Sequence, residues 1–468
     1  MSDFGEELSS LMAKKTISVE SLCQMAELNP AYLEKLKCGK LLPSNYGVVK
    51  KISEVLGLVP EEEYQLWNSY KVSKLGEKHM CTEEALKALF ALPAARPQRV
   101  LGEINAVSLQ NGVPICGRER VYQAIRQLLR ESTDSADLLL HVEQQEFCRI
   151  LGEEIWEKGA DYRCRLLLYL REERMAEKNV ASFGMLVQAL LSGRIEVHYN
   201  YIVAEKLVDY ILFPFLIRTE QALLLLNQDL SAALYLDEPE TVAIYGSYFQ
   251  KKYGNARQLC AVFESADRFI RESQMFFAED GSTKPMDFYI LSRKPCVIFE
   301  NDEKIVREHV CAENMADGFV ENYMTFLYEK IFSGVKKMKI LFCRDGMTDF
   351  LNSEEFHEFH PTVDKPIPKA VRREFFGKMI RHAQENDNMQ LGLLENALFT
   401  RRRHCINLWS TGKMLLMFDF EDSYRLVLLQ ENTIVSAMIE YFRALRKAEA
   451  VRTKEETLEI MQQELDAC

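Results

Sequence analysis

Between residues 14 and 51, seven lysines (Lys14, Lys15, Lys35, Lys37, Lys40, Lys50 and Lys51) stand against three acids (Glu20, Glu27 and Glu34), a local surplus of four positive charges in a chain of net charge −12. A basic cluster of this kind neutralises the phosphates of a polyanion and releases its counterions. Two other groupings have chemical composition without chemical spacing. His357-Glu-Phe-His360, beside Glu354, Glu355 and Glu358, offers two imidazoles three apart but no fixed third ligand, so a solvated acidic loop before Pro361 accounts for it better than a metal. Arg401-Arg-Arg-His404 could hold a phosphate or carboxylate, but a solvent-exposed approach to a strand accounts for it better. There is no Gly-rich phosphate loop, no G-x-S-x-G turn and no spaced carboxylate pair. No catalytic residue, metal ligand or cofactor is assigned, and the chain is expected not to be an enzyme.

The elements that must position the lysines are short helices. Phe4, Leu8, Leu11 and Met12 form one apolar stripe. Ser18 can cap a second helix carrying Leu22, Met25 and Ala26. Asn29-Pro30 starts a third, with Asn as cap and Pro at the first helical position, where its missing N–H costs nothing. Leu33 and Leu36 share a face of that helix, and Gly39 ends it. Val48 to Leu56, closed by Gly57, is a fourth helix, and Pro60 opens a fifth running to Tyr70.

This order of helices, with the run Leu36-Lys-Cys-Gly-Lys-Leu-Leu-Pro43 after the third, resembles the phage-repressor or XRE type of helix-turn-helix domain over residues 4–70. The resemblance implies that the helix Asn29 to Cys38 enters the major groove of double-stranded DNA. It places Pro30, Ala31, Glu34 and Lys35 toward the bases, Asn29, Tyr32, Lys37 and Lys40 toward the backbone, and Ser18-Val19 against a phosphate. Three departures weigh against base readout. Val19, Pro30 and Ala31 replace the Gln or Ser frequent in the family, and none can hydrogen-bond a base edge through its side chain. Glu27 occupies a turn position commonly held by Gly. Glu20 and Glu34 bring negative charge toward a polyanion.

At 468 residues, 47% hydrophobic and 27% charged, the chain has the composition of a globular protein of several domains. No apolar run reaches the length of a membrane span, the N-terminus lacks the features of a signal peptide, and the twelve cysteines form no Cys-x-x-Cys pair. A cytoplasmic, membrane-free protein is expected. Residues 71–113 form a connector with a helix from Thr82 to Leu92. Beyond it the pattern alternates: helices over Arg118–Arg130, Gln144–Lys158, Phe183–Leu191 and Pro239–Lys252, and strands over Asp137–Val142, Arg165–Leu170, Ile195–Tyr199, Pro214–Ile217, Ala222–Leu226 and Ala232–Leu236.

The same order then recurs. Cys164-Arg-Leu-Leu-Leu-Tyr matches Met338-Lys-Ile-Leu-Phe-Cys, Phe183-Gly matches Phe376-Gly with each opening a helix, Leu223-Leu-Leu-Leu matches Leu415-Leu-Met-Phe, and Tyr248-Phe249 matches Tyr441-Phe442. The offset steps from 174 to 192–193 after the first pair, as one insertion would make it. The expected architecture is α+β and multidomain: an all-α helix-turn-helix head (1–70), the helical connector (71–113), two repeated α/β units (114–275 and 286–450) and a C-terminal helix (451–468).

Each unit resembles one half of the phospholipase D-like fold, and the layout resembles large helix-turn-helix regulators of Firmicutes. The His-x-Lys motif of that enzyme family is absent, since none of the eight His is followed two residues later by Lys. Phe215-Leu-Ile217 and Ile406-Asn-Leu408 stand at the equivalent hairpins. These resemblances imply a DNA-binding transcriptional regulator that is a homodimer, with a small-molecule effector or an oligomer interface in its C-terminal region. The alternative is a protein-interaction scaffold whose degenerate head no longer reads DNA. A hydrolase using His357, His360 or His404 is the third and least supported reading.

Overall fold

Leu and Val runs from both halves of the chain end up side by side in one 14-stranded sheet. The computed structural model describes residues 3–92, 97, 107–172, 176–201, 211–278, 285–297, 303–309, 318–332, 334–353, 357, 365–394, 405–419, 424–447 and 451–467. The head consists of α1 (Asp3–Lys14), α2 (Val19–Ala26), α3 (Pro30–Lys37), α4 (Tyr46–Leu56) and α5 (Pro60–Leu75), followed by α6 (Glu77–Phe90). The head core is built mostly from the expected stripes: Phe4, Leu8, Leu11, Leu22, Ala26, Leu33, Leu36 and Ile52 are buried, joined by Leu66, while Met25 of the second stripe is exposed and Cys23 lies inside instead. Burying each of the Phe, Leu and Ile side chains contributes roughly 1.5–3 kcal/mol. The expected caps form, with Gly57 ending α4 at φ 58°. Helix α5 runs past Tyr70 to Leu75, so position 70 lies within a helix.

The first α/β unit runs β1 (Pro114–Cys116), α7 (Arg118–Glu131), β2 (Ser135–Leu140), α8 (Gln145–Trp156), β3 (Arg163–Leu170), α9 (Ala176–Leu190), β4 (Ile195–Tyr201), β5 (Phe215–Thr219), β6 (Leu223–Leu226), β7 (Ala232–Leu236), α10 (Pro239–Gly254), β8 (Arg257–Phe263) and α11 (Ala266–Ala278). The second runs β9 (Met286–Ser292), α12 (Glu303–His309), α13 (Phe319–Thr325), a π-helical segment (Phe326–Ile331), β10 (Val335–Cys343), α14 (Arg344–Asn352), α15 (Lys369–Glu385), β11 (Met389–Leu394), β12 (Cys405–Trp409), β13 (Lys413–Asp419), β14 (Tyr424–Gln430), α16 (Asn432–Lys447) and α17 (Lys454–Ala467).

The protein is α+β, and its repeat is visible in the strand order. The sheet reads β1-β7-β6-β5-β2-β3-β4-β8-β14-β13-β12-β9-β10-β11, so β7-β6-β5-β2-β3-β4 recurs as β14-β13-β12-β9-β10-β11 with the same parallel and antiparallel pairings. Strand β8 is antiparallel to both β4 and β14 and joins the units into one sheet. It follows that β14 runs parallel to β4, whereas its counterpart β7 runs opposite to β4. Every strand of the second unit is therefore reversed relative to its counterpart. Keeping the order while reversing the direction requires a half-turn about a line along the sheet, which also exchanges the two faces. Helix α16, the counterpart of α10, accordingly packs on α9 of the first unit and on α6.

Two expectations are corrected, the placing of Phe183 and Phe376 and the solvation of His357, and the single insertion is found as expected. Phe183 and Phe376 do not open helices; both lie well inside α9 and α15, because favourable helix formers precede them. The step in offset falls where α14 and the segment after it are inserted between β10 and α15. His357 is buried at 8% exposure beside the end of β9, with its carbonyl accepting from Lys294 Nζ at 3.2 Å. His360 and the neighbouring glutamates lie outside the described residues, as do Arg401–His404. Trp156 and Trp409 are core residues, and α17 packs on α15 through Leu458, Met461 and Leu465.

Candidate nucleic-acid interface

Helices α2 and α3 are joined by the turn Glu27-Leu28-Asn29. Glu27 takes the left-handed conformation (φ 50°, ψ 42°) that the missing glycine would have supplied, a backbone cost of about 1 kcal/mol for a residue with a Cβ. Asn29 Oδ1 accepts from the N–H groups of Ala31 (2.9 Å) and Tyr32 (3.3 Å), so its side-chain acceptor serves as the cap of α3. Leu33 and Leu36 anchor the inner face of α3 and leave Pro30, Ala31, Glu34 and Lys35 together on its exposed face. Tyr32 is half-buried, and its hydroxyl accepts from Ser44 N–H at 2.9 Å, which ties the loop after α3 to the helix.

The far end of α3 is set by a backbone crossing. A Cβ on Gly5 of α1 would come within 2.8 Å of Gly39 N and 2.9 Å of Leu36 O, so only glycine permits this approach. The Ser9 hydroxyl shares its proton between Gly5 O of its own helix at 2.8 Å and, across the same crossing, Lys37 O at 3.3 Å. Nothing in the sequence pattern pointed to Gly5 or Ser9, because the crossing joins residues more than twenty positions apart.

The lysines divide into two groups. Lys14 and Lys15 hold the two oxygens of Glu62 at 2.6 and 2.8 Å, Lys51 pairs with Glu27 at 2.9 Å, and Lys50 stands 4.0 Å from Glu54. The two lysines drive the Glu62 carboxyl down to about 2, with help from the Val59 N–H it accepts. Lys35, Lys37 and Lys40 enter no ion pair among the described residues. Folding thus brings Glu54 and Glu62 to lysines that the sequence window counted as free, and halves the local surplus. The free cations are those on α3 and just beyond it.

At the start of α2, Ser18 Oγ accepts from Ser21 N–H at 3.2 Å, and Val19 begins the helix. The Glu20 carboxyl is held below its usual range by its own backbone N–H and by the Ser18 hydroxyl. A carboxylate therefore occupies the helix N-terminus where the resemblance puts a phosphate.

The head is fixed to the rest of the protein by a buried charge cluster. Glu83 of α6, with no exposed side-chain surface, accepts from Lys71 of α5 (2.5 Å), Lys87 of α6 (2.7 Å) and the Tyr441 hydroxyl of α16 (3.0 Å). Lys78 and Glu440 pair nearby at 3.0 Å. The spacing of Glu83 and Lys87 signals the helical pair, but nothing in the sequence signals the partners from α5 and α16.

Phe215–Ile217 and Ile406–Leu408, where the resemblance would put the His-x-Lys motif, lie in β5 and β12, and Phe215, Leu216, Ile217, Ile406 and Leu408 are core residues. The two strands stand seven places apart in the sheet, about 34 Å at the usual strand spacing. Among the described residues, no group of three His, Cys, Asp or Glu is placed to hold a metal, and no helix is long and apolar enough to cross a membrane.

No protein-family model and no curated protein matches the chain. Among solved structures, the chain is similar to TrmBL2, an archaeal chromatin protein described as showing a novel mode of DNA binding (11% identity, 44% of this chain and 70% of that one, TM-score 0.23). It is also similar to a polyphosphate kinase from Porphyromonas gingivalis (11% identity, 71% of this chain and 50% of that one, TM-score 0.24). A third match is a phosphatidylserine synthase from Haemophilus influenzae Rd KW20 (10% identity, 82% of this chain and 97% of that one, TM-score 0.22). Superpositions this loose establish neither a shared fold nor a shared activity.

Proposed function

We propose that the protein is a DNA-binding transcriptional regulator without catalytic activity, in which α3 is the recognition helix. One observation carries the reading. Lys35, Lys37 and Lys40, the lysines at α3, are the cations of the 14–51 cluster that folding leaves without carboxylate partners. Each phosphate contact they make adds about −0.9 to the slope of log affinity against log salt. With Pro30 and Ala31 at the groove face, affinity comes mainly from phosphate and shape, and a thymine methyl against Ala31 is the one base contact those side chains offer. One head spans a half-site, so the binding species is a homodimer on a two-fold operator. The rigid joint at Glu83 carries the state of the α/β units to the heads, and an effector bound there alters head spacing.

The test is the double substitution Lys35→Glu with Lys37→Glu. The reading predicts loss of DNA binding with the fold intact by circular dichroism; wild-type affinity would show that α3 does not face DNA. The second reading, a scaffold that recognises another protein, is favoured by Glu20 at the start of α2 and by the neutralised Lys14, Lys15, Lys50 and Lys51. It predicts DNA binding that is weak and nearly independent of salt.

A further inference from the structure

The half-turn between the units places the same strand positions in two different electrostatic settings. In the first unit Ala136 faces Cys164, and in the second Phe288 faces Met338. One step along, Asp137 and Tyr289 are therefore equivalent, as are Arg165 and Lys339. Asp137, almost fully buried, takes Arg165 at 2.7 Å and Arg218 at 2.8 Å, so each cation of the first unit has a carboxylate partner. In the second unit a neutral phenol stands in the place of that carboxylate.

Around Tyr289 the cations are in excess. Its buried hydroxyl donates to Asp287 Oδ2 at 3.4 Å and accepts from Lys339 Nζ at 3.3 Å and from Arg443 Nη2 of α16 at 3.1 Å. The Lys339 ammonium also sits 4.7 Å from the Tyr289 ring centre. Arg446, one turn further along α16, is exposed and donates to Gln390 Oε1 of β11 at 2.7 Å. Asp287 stands 3.4 Å from Lys339. Neither Arg443 nor Arg446 enters an ion pair among the described residues. Two exposed arginine forks and the partly exposed Lys339 ammonium thus gather around the buried Tyr289, and Asp287 is the one carboxylate paired within the group among the described residues.

We propose that this cluster binds a small phosphate-bearing ligand. Two forks and a point charge suit the several oxygens of a tetrahedral oxyanion, whereas a carboxylate is satisfied by one fork. Arg443 lies two residues beyond Tyr441, about 3 Å along the helix axis, and Tyr441 donates to Glu83 at the head joint. A ligand that draws Arg443 off Tyr289 acts on the helix that holds the head. This regulatory consequence rests on the function proposed above; the binding itself does not.

The experiment is calorimetric titration of the full chain with inorganic phosphate at constant ionic strength, in parallel with DNA binding by fluorescence anisotropy. Wild type should bind phosphate saturably at one site per chain. Arg443→Gln with Arg446→Gln should weaken it by about tenfold or more, Arg443→Lys with Arg446→Lys should keep the fold and the charge yet lose most of the affinity, and Lys35→Gln with Lys37→Gln should leave it unchanged. Equal affinity in wild type and the arginine-to-glutamine variant, or no saturable binding in wild type, overturns the proposal. Weaker DNA binding in the arginine variants with no phosphate binding by wild type would assign the patch to the DNA backbone and also overturn it. Phosphate binding that persists in a protein that binds no DNA supports this site and refutes the head's role instead.

Discussion

Glu83→Gln removes the acceptor at the centre of the head joint, and its cost can be worked from the surroundings. Burial pushes the Glu83 carboxyl up, while Lys71 and Lys87 pull it below the usual carboxylate range, so it is ionised at neutral pH. The amide leaves Lys71, 7% exposed, without its counter-charge. Losing one partner of a buried pair typically costs about 3–5 kcal/mol. Lys87, 45% exposed, turns to water at little cost. The Lys71 contact with the Trp67 ring, 5.2 Å to its centre, is made with or without the Glu83 charge and leaves that cost unchanged. The double variant Glu83→Leu with Lys71→Met buries no charge and should lie within about 1–2 kcal/mol of wild type. Urea unfolding followed by circular dichroism and tryptophan fluorescence gives both numbers. A Glu83→Gln cost below about 1 kcal/mol would refute the buried-charge account. A double variant no more stable than the single one would place the loss in packing rather than charge.

Gly5→Ala should destabilise the head by roughly 1–3 kcal/mol by forcing α1 off the end of α3, seen as an earlier melting transition; an unchanged melt would mean the helices do not approach as described. Glu20→Gln should tighten DNA binding by removing the carboxylate from the start of α2, and unchanged affinity would place that helix end away from phosphate. The Glu62 carboxyl is lowered from 4.5 to about 2, so its contribution is complete above the ordinary carboxylate value and is lost as pH falls from there toward 2. The advantage of wild type over Glu62→Gln in melting temperature should therefore shrink across that interval, and a constant difference would show that Lys14 and Lys15 do not hold the carboxylate.

Local signals in this chain were legible and long-range ones were not. Asn29-Pro30, Ser18 and the stripe from Phe4 to Met12 specify their helices within a turn or two, and the structure forms them as expected. The repeat was legible because apolar strands such as Leu223–Leu226 and Leu415–Phe418 keep their order and spacing. Strand β8 was missed: Arg257-Gln-Leu-Cys-Ala-Val-Phe263 has no regular alternation of buried and exposed residues, and its partners β4 and β14 come from different units. The site was legible in residue type but not in net charge. A count along the sequence cannot register Glu62, which reaches Lys14 and Lys15 from the start of α5, or the clustering of Tyr289, Lys339 and Arg443 from two strands and a helix.

The central claim is that α3 carries the cations that meet DNA. Its most direct test is fluorescence-anisotropy binding of the full chain to its own upstream DNA and to scrambled DNA across a salt series. The account predicts tight binding to the upstream site, a clear preference over scrambled DNA, and a steep negative salt slope. That slope should flatten by about 2.7 per head when Lys35, Lys37 and Lys40 are all changed to Gln. Binding that is insensitive to salt, or a slope unchanged by those three substitutions, would contradict it.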